Sequence, residues 1–234
     1  TPMNAILGFA QLLELDELPA DQGDNVRQIL RAGRHLLELI TELLDIARIE
    51  AGELALSLEP VSVEELVDEA VVLTRPLADQ HGVAIGVENA GVYVLADRQR
   101  ALQVLLNLLA NAVKYNDRGG RVDVVCSKLD GDRVAIAVRD TAHGIAAEDI
   151  ERLFAPFERL GLDGGAVEGA GLGLTLAQRL VHAMNGTLAV ASTPGVGSTF
   201  TVELPQADDP LSAFDAASAD PAAAGARAAT IVYV

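Results

Sequence analysis

Residues 24–51 constrain the fold more than any other stretch. Val26, Ile29, Gly33, Leu36, Ile40, Leu43 and Ala47 recur at spacings of three and four, the period of a helix whose seam packs on another helix. Leu37, Leu44 and Ile46 lie beside that seam, making the apolar arc wider than one partner helix covers. A shorter helix precedes it. Pro2 suits a first helical turn, and Met3, Ile6, Leu7, Ala10 and Leu13 carry the pattern to about Asp16. Residues 17–24 read as a short connection, so the two helices form an antiparallel hairpin. The excess arc calls for a second hairpin, and a homodimeric four-helix bundle is the simplest answer. Packing against the rest of the same chain is the alternative. Gly52 closes the long helix.

The other bulk properties narrow the class. The chain has 234 residues, half of them hydrophobic, with no Trp and 3% aromatics, so Leu, Val, Ala and Ile must fill the core. No apolar run reaches the ~18 residues of a membrane span, and no signal peptide is visible. The single cysteine, Cys126, sits in an apolar strand pattern and reads as core, which fits a reducing compartment. Seventeen Lys and Arg stand against 34 Asp and Glu, a net charge of −17. Without a block of clustered cations, a phosphate-tracking surface for nucleic acid is not expected. The helical pattern is at full strength by residue 3, as in a segment excised from a longer protein.

Beyond the hairpin the periodicity alternates between two and three-to-four. Residues 54–58 alternate as a short strand. Pro60 and the Ser62-Val63-Glu64-Glu65 signal then open a helix to about Gln80 through a capping box. Strands follow at 83–87 and 92–95, and Asp97 caps the next helix. After the turn at 116–120 come strands at 121–128 and 133–139, and later a helix over 172–185. Strands and helices in this order make an α+β layered sandwich rather than a βαβ array.

The helix after Asp97 buries Leu102, Leu105, Leu106, Leu109 and Val113. Asn107 and Asn111, four apart, share another face, with Lys114 one turn on and Tyr115 at the end. Amide oxygen for a metal, charge for phosphate and a ring for a base suit a bound nucleotide; a solvated helix face is the plainer alternative. Asp140, at a strand end beside a Gly turn, suits a carboxylate that accepts from the exocyclic amine of a base; a plain Asp turn is the alternative. Phe154 and Phe157 are two of only five Phe and either anchor a loop or fill core. The Gly-rich stretch 161–170 suits a lid. It runs into Gly169, Gly171 and Gly173 at a helix start, where backbone N–H groups and the helix dipole meet phosphate. The spacing lacks the preceding strand of a dinucleotide fingerprint and the Gly-Lys-Ser/Thr of a P-loop. His35, His81 and His182 read as structural.

Taken jointly and in this order, these stretches resemble the ATP-binding domain of sensor histidine kinases. The resemblance covers an N box (Asn107 to Tyr115), a first glycine box (Asp140 to Ile145) and a phenylalanine box (Phe154 to Phe157). It continues through a glycine lid (Gly169 to Leu174) and the terminal Gly195-Val196-Gly197-Ser198-Thr199-Phe200. The hairpin resembles that family's dimerisation and phosphotransfer domain: Thr1-Pro2-Met3-Asn4-Ala5-Ile6 is similar to the tail of its His-Glu-x-x-Thr-Pro box, and residues 45–52 to the end of its second helix. The resemblance implies a Bergerat-type ATP-binding fold after the hairpin. The expected division is a hairpin over 1–58, a catalytic domain over 59–205, a linker over 206–228 and, at 229–234, the first strand of a receiver domain, with a C-terminal tail strand as the alternative.

By this resemblance Asn111 is the Mg²⁺ ligand, Asn107 assists near metal and phosphates, Lys114 meets phosphate and Tyr115 stacks on adenine. Asp140 accepts from the adenine amine with Thr199 nearby through water, beside Ala142 and Gly144. Gly169, Gly171 and Gly173 serve the phosphates. Thr1 matches the position that orients water in kinases that also dephosphorylate their partners. The family's acceptor His lies four residues before Thr1, outside this sequence, and His35 is no substitute. The implied partners are a second copy through residues 1–58 and a response-regulator receiver domain, in cis or in trans. The implied setting is the bacterial cytoplasm, free or beneath a membrane sensor. One departure is Ala142, where the family usually has Gly. If that position needs φ > 0 or close approach to adenine, its Cβ costs roughly 1–2 kcal/mol. Weakened ATP binding, rescued by Ala142→Gly, is then expected, and a degenerate nucleotide-binding or docking module is the competing function.

Overall fold

The computed structural model describes residues 2–16, 18–158 and 171–210. Thr1, Gly169 with the rest of 161–170, and the segments 211–228 and 229–234 lie outside these. The chain opens with the expected hairpin, α1 (Pro2–Glu14) and α2 (Ala20–Glu50). Helix α2 starts directly after Pro19, earlier than the periodicity implied. Gly33 is a close-approach point: a Cβ there would meet Leu7 Cδ2 at 2.7 Å, so a larger residue would displace the Leu7 side chain. Ala10, Val26 and Leu30 form the hairpin's own small core. Ile6, Phe9, Leu12 and Leu13 of α1, and Ile29, Leu36, Leu37, Ile40, Leu43 and Leu44 of α2, remain exposed.

Among the described residues, seven strands and four more α-helices follow: β1 (Glu59–Ser62), α3 (Val63–His81), β2 (Ala84–Glu88), β3 (Tyr93–Ala96), α4 (Arg98–Lys114), β4 (Arg121–Leu129), β5 (Arg133–Asp140), α5 (Ala147–Ile150), α6 (Gly173–Ala183), β6 (Thr187–Thr193) and β7 (Gly197–Ala207), with a 3-10 turn over Glu151–Phe154 after α5. The sheet order is β1-β3-β7-β5-β4-β2, with β6 also paired to β7. Only β2 and β4 run parallel; the other pairs are antiparallel. Both capping expectations hold: Ser62 Oγ accepts from Glu65 N at 3.4 Å, and Asp97 Oδ1 from Arg100 N at 3.1 Å.

Strand alternation sets the layers. Val122, Val124 and Cys126 of β4, Val134, Ile136 and Val138 of β5, and Phe200, Val202 and Leu204 of β7 are buried beneath the helices. From the helices come Leu66, Val67 and Ala70 of α3, Leu105, Leu108 and Leu109 of α4, and Leu176, Leu180 and Val181 of α6. Burial pushes the Cys126 thiol up to about 11, which suits an inert core residue. The architecture is α+β, a helical hairpin followed by a helix layer on a mixed sheet.

One local expectation fails. Residues 54–58 are not a strand; β1 begins at Glu59, opposite Ala96. Its partner β3 has four residues and α4 starts at Arg98, so no strand edge remains for 54–58 to pair with. Leu54 and Leu56 still pack on the main core, while the Ser57 N–H donates to Asp97 Oδ2 at 3.0 Å.

Candidate functional site

A cavity of about 710 Å³ lies between the end of α4, the β5–α5 loop, the start of α6 and one face of α2. Helix α4 explains how its first wall forms. Ala101, Val104, Leu105, Leu108, Leu109, Ala112 and Val113 bury one side, so the Asn107, Asn111 and Lys114 face is turned into the cavity. Tyr115 lines it too, at the helix cap, where its N–H donates to Asn111 O. Asn107 Nδ2 donates to Gly173 O at 3.1 Å, tying α4 to the N-terminus of α6 and leaving the Asn107 amide oxygen for another partner.

The opposite end is built around Asp140. Its Oδ1 accepts from Ala142 N at 3.0 Å and Ser198 N at 3.1 Å. Desolvation raises its pKa, and those two backbone bonds and His143 pull the other way. The second carboxylate oxygen makes no bond among the described residues, which leaves an acceptor at the cavity wall. Around it Ser198 Oγ pairs with Ser192 Oγ at 3.0 Å, and Ser192 Oγ accepts from Ile145 N at 2.8 Å. Gly144 sits at φ +69, and a Cβ there would overlap the Thr193 carbonyl. This glycine therefore fixes how closely the β5–α5 loop approaches the β6–β7 turn.

Of the residues expected at the site, Asn107, Asn111, Lys114, Tyr115, Asp140, Ala142, Gly144, Gly171 and Gly173 line this one cavity. Thr199 does not. Ser198 and Phe200 line it instead, because β7 alternates and its even-numbered residues face the helix layer. The neighbour of Asp140 is Ser198, one residue earlier than expected. Counting parity back from the buried Phe200 was the signal in the sequence that finds it. Thr1 and Gly169 lie outside the described residues.

The backbone condition set for Ala142 is not met. Only Asp132, Phe157 and Asn185 have positive φ among the described non-glycine residues. Ala142 has no left-handed backbone to strain, and the position of this loop that does require glycine, Gly144, has one. The strain expected of Ala142 from a positive φ does not arise, while the cost expected from close approach to adenine is what Ala142→Gly tests.

The third wall was not foreseen. Arg31, Arg34, His35, Glu38, Leu39 and Glu42 of α2 line the cavity opposite the α4 face. They form one stripe at helical spacing, separate from the exposed apolar residues of the same helix. Half-burial and Glu38 raise the Glu42 pKa, while His35 and Lys114 act to lower it, so Glu42 is within electrostatic reach of both.

Comparison with known proteins agrees with this geometry. Residues 1–52 match the His Kinase A (phospho-acceptor) domain, and residues 96–208 match the histidine kinase-, DNA gyrase B-, and HSP90-like ATPase family. The chain belongs to the histidine kinases. It is 38% identical over 215 residues to the non-motile and phage-resistance protein of Caulobacter vibrioides, covering 88% of this chain and 25% of that protein. It is 40% identical over 218 residues to the virulence sensor protein BvgS of Bordetella bronchiseptica, covering 87% and 17%. Among solved structures, full-length ShkA in complex with AMPPNP superposes with a TM-score of 0.77 at 38% identity, covering 89% of this chain and 44% of that one. The chain thus spans about a quarter or less of these curated relatives.

Proposed function

We propose that the cavity binds ATP with Mg²⁺ and that the chain is the kinase core of a two-component signalling protein. In this reading the γ-phosphoryl group passes to a histidine four residues before Thr1, then to a receiver-domain aspartate. The observation that carries it is the polarity of one cavity: a half-buried carboxylate held by two backbone amides at one end, two carboxamides and a lysine at the other. Asp140 accepts from the adenine amine, assisted by Ser198, and Tyr115 stacks on the base. Lys114 offsets phosphate charge, and Gly171 and Gly173 allow the backbone at the α6 start to approach the phosphates. Phosphoryl transfer needs mainly such positioning and charge stabilisation.

The donor set fits Mg²⁺. Among the described residues no cluster of three His, Cys, Asp or Glu could hold a metal alone. Asn111, with Asn107 near, offers amide oxygen to an ion that takes few protein ligands and keeps phosphate and water oxygens. Bound there, the metal would neutralise developing phosphate charge.

The partners follow from surfaces and relatives. The apolar residues exposed on α1 and α2 support a homodimer through residues 1–58. The relatives named above are bacterial, and no helix among the described residues is long and apolar enough to cross a membrane; the proposed setting is the bacterial cytoplasm. Residues 229–234 are read as the start of a receiver domain, and Thr1 as the residue that orients water for the reverse, dephosphorylating step. The test is incubation of the natural chain, extended upstream of Thr1, with γ-labelled ATP and Mg²⁺. Acid-labile label that disappears in Asn111→Ala is expected. Intact ATP binding with no label would refute the kinase reading.

A further inference from the structure

Helix α4 carries the nucleotide residues in its C-terminal half, and its first turn is fastened to the hairpin. Asp45 of α2 is 6% exposed, yet carries a charge that the hairpin alone does not pair. Arg100 closes on it with two bonds, Nη1 to Oδ2 at 2.7 Å and Nη2 to Oδ1 at 3.4 Å, while Nη1 also donates to Gln103 at 2.9 Å. Asp97, the α4 cap, holds the chain leaving the hairpin through the Ser57 N–H. Next to Asp45, Ile46 belongs to the main core of the catalytic domain, and Glu50 pairs with Arg179 of α6 at 2.8 Å. The end of α2 is thereby registered against α4 and α6, the two helices that hold the phosphate end of the cavity.

The hairpin's own register gives this attachment a meaning. Gly33 stands against Met3 and Leu7, and Leu30 packs with Ala10. Continuing this antiparallel pairing at about 1.5 Å per residue on each helix, a residue four before Thr1 stands level with roughly position 42. Glu42 lines the cavity and feels Lys114. The clasp lies one helical turn from that level. Arg100 is about 21 Å from Lys114 along α4, so a tilt of about 10° at the clasp displaces the phosphate-binding end by ~4 Å. Misplacement of that size is ruinous for a reaction that depends on alignment.

We infer that Asp45 and Arg100 are a positioning pair for phosphoryl transfer. They set the angle at which the nucleotide cavity faces the hairpin, and they touch neither nucleotide nor acceptor. The inference rests on the kinase reading above and deepens it.

The test uses the full natural chain. Asp45→Asn and Arg100→Gln remove the charge from one side at a time, and Arg100→Lys keeps it. ATP affinity, the transfer rate at saturating ATP and the melting temperature are measured for each. Asp45→Asn and Arg100→Gln are expected to slow transfer by tenfold or more while ATP affinity stays within twofold; Arg100→Lys retains most of the rate. A purely structural role would move melting temperature and affinity together with the rate. Wild-type transfer in either charge-removing variant overturns the pairing, as does a loss of affinity that parallels the loss of rate in both. A wild-type chain that binds no ATP overturns the nucleotide reading itself, and the clasp inference with it.

Discussion

Replacing Gly144 by alanine puts a methyl group where the protein has no room. At φ +69 an alanine costs roughly 1–2 kcal/mol for the left-handed backbone alone. The new Cβ would also overlap Thr193 O and stand 3.0 Å from Pro194 Cα. Both are backbone atoms that no rotamer change moves, and overpacking of this kind adds about 1–3 kcal/mol. The sum is ~2–5 kcal/mol. For a domain of this size, each kcal/mol lowers Tm by about 2–4 °C, so a fall of about 4–20 °C is expected. The functional consequence comes from what the β6–β7 turn holds. Gly195 N donates to His143 O at 2.7 Å, and Ser198 N to Asp140 Oδ1 at 3.1 Å. Pushing the turn away from the loop withdraws a donor that pins Asp140, the carboxylate proposed to read adenine. Calorimetric scanning and titration with ATP check both parts: lower Tm, and affinity reduced by about tenfold, the equivalent of 1.4 kcal/mol. A variant with Tm within about 1 °C of wild type and unchanged ATP affinity would refute the reasoning.

The other expectations follow from the same geometry. Ala142→Gly, which adds backbone freedom without relieving strain, costs about 0.5–1 kcal/mol of stability and leaves ATP affinity within about threefold; a large gain in affinity would reveal the close-approach cost. Asp140→Asn keeps an oxygen for Ala142 N and Ser198 N but turns a donor toward the adenine amine, so ATP binding should be lost without loss of fold. Because burial raises the Asp140 pKa, this group's contribution is most favourable below the unfolded pKa and is lost as pH rises through the folded one. Denaturant unfolding of the nucleotide-free proteins should therefore show the Asn variant gaining on wild type across that window. Asn111→Ala and removal of Mg²⁺ by chelation should weaken ATP binding by similar factors that do not multiply when combined; full additivity in titrations would separate Asn111 from the metal. Ile40→Glu, a charge on the exposed apolar face of α2, should convert dimer to monomer in sedimentation equilibrium, and an unchanged dimer would move the interface elsewhere.

How much of this was legible in the sequence depended on whether the signal was local. The hairpin, α3, α4 and the β4–β5 pair were readable because apolar periodicity and caps at Ser62 and Asp97 act within a few residues. Residues 54–58 misled because alternation reports side-chain burial, which Leu54 and Leu56 do achieve, while a strand also needs a free edge, which no local pattern reveals. Thr199 against Ser198 was a one-residue parity error, decidable from the buried Phe200 once β7 is laid against β5. Ala142 needed backbone angles that composition does not carry. The α2 wall and the Asp45–Arg100 bond join residues 55 apart in sequence, and the hairpin's pattern gave no sign that one polar stripe faces the nucleotide residues. These non-local features are what turn two separately readable parts into one machine. Asn107, Asn111 and Lys114 can be proposed as ligands from their own helix alone, but it is the fastening of that helix's first turn to α2 that sets which face of the hairpin they confront.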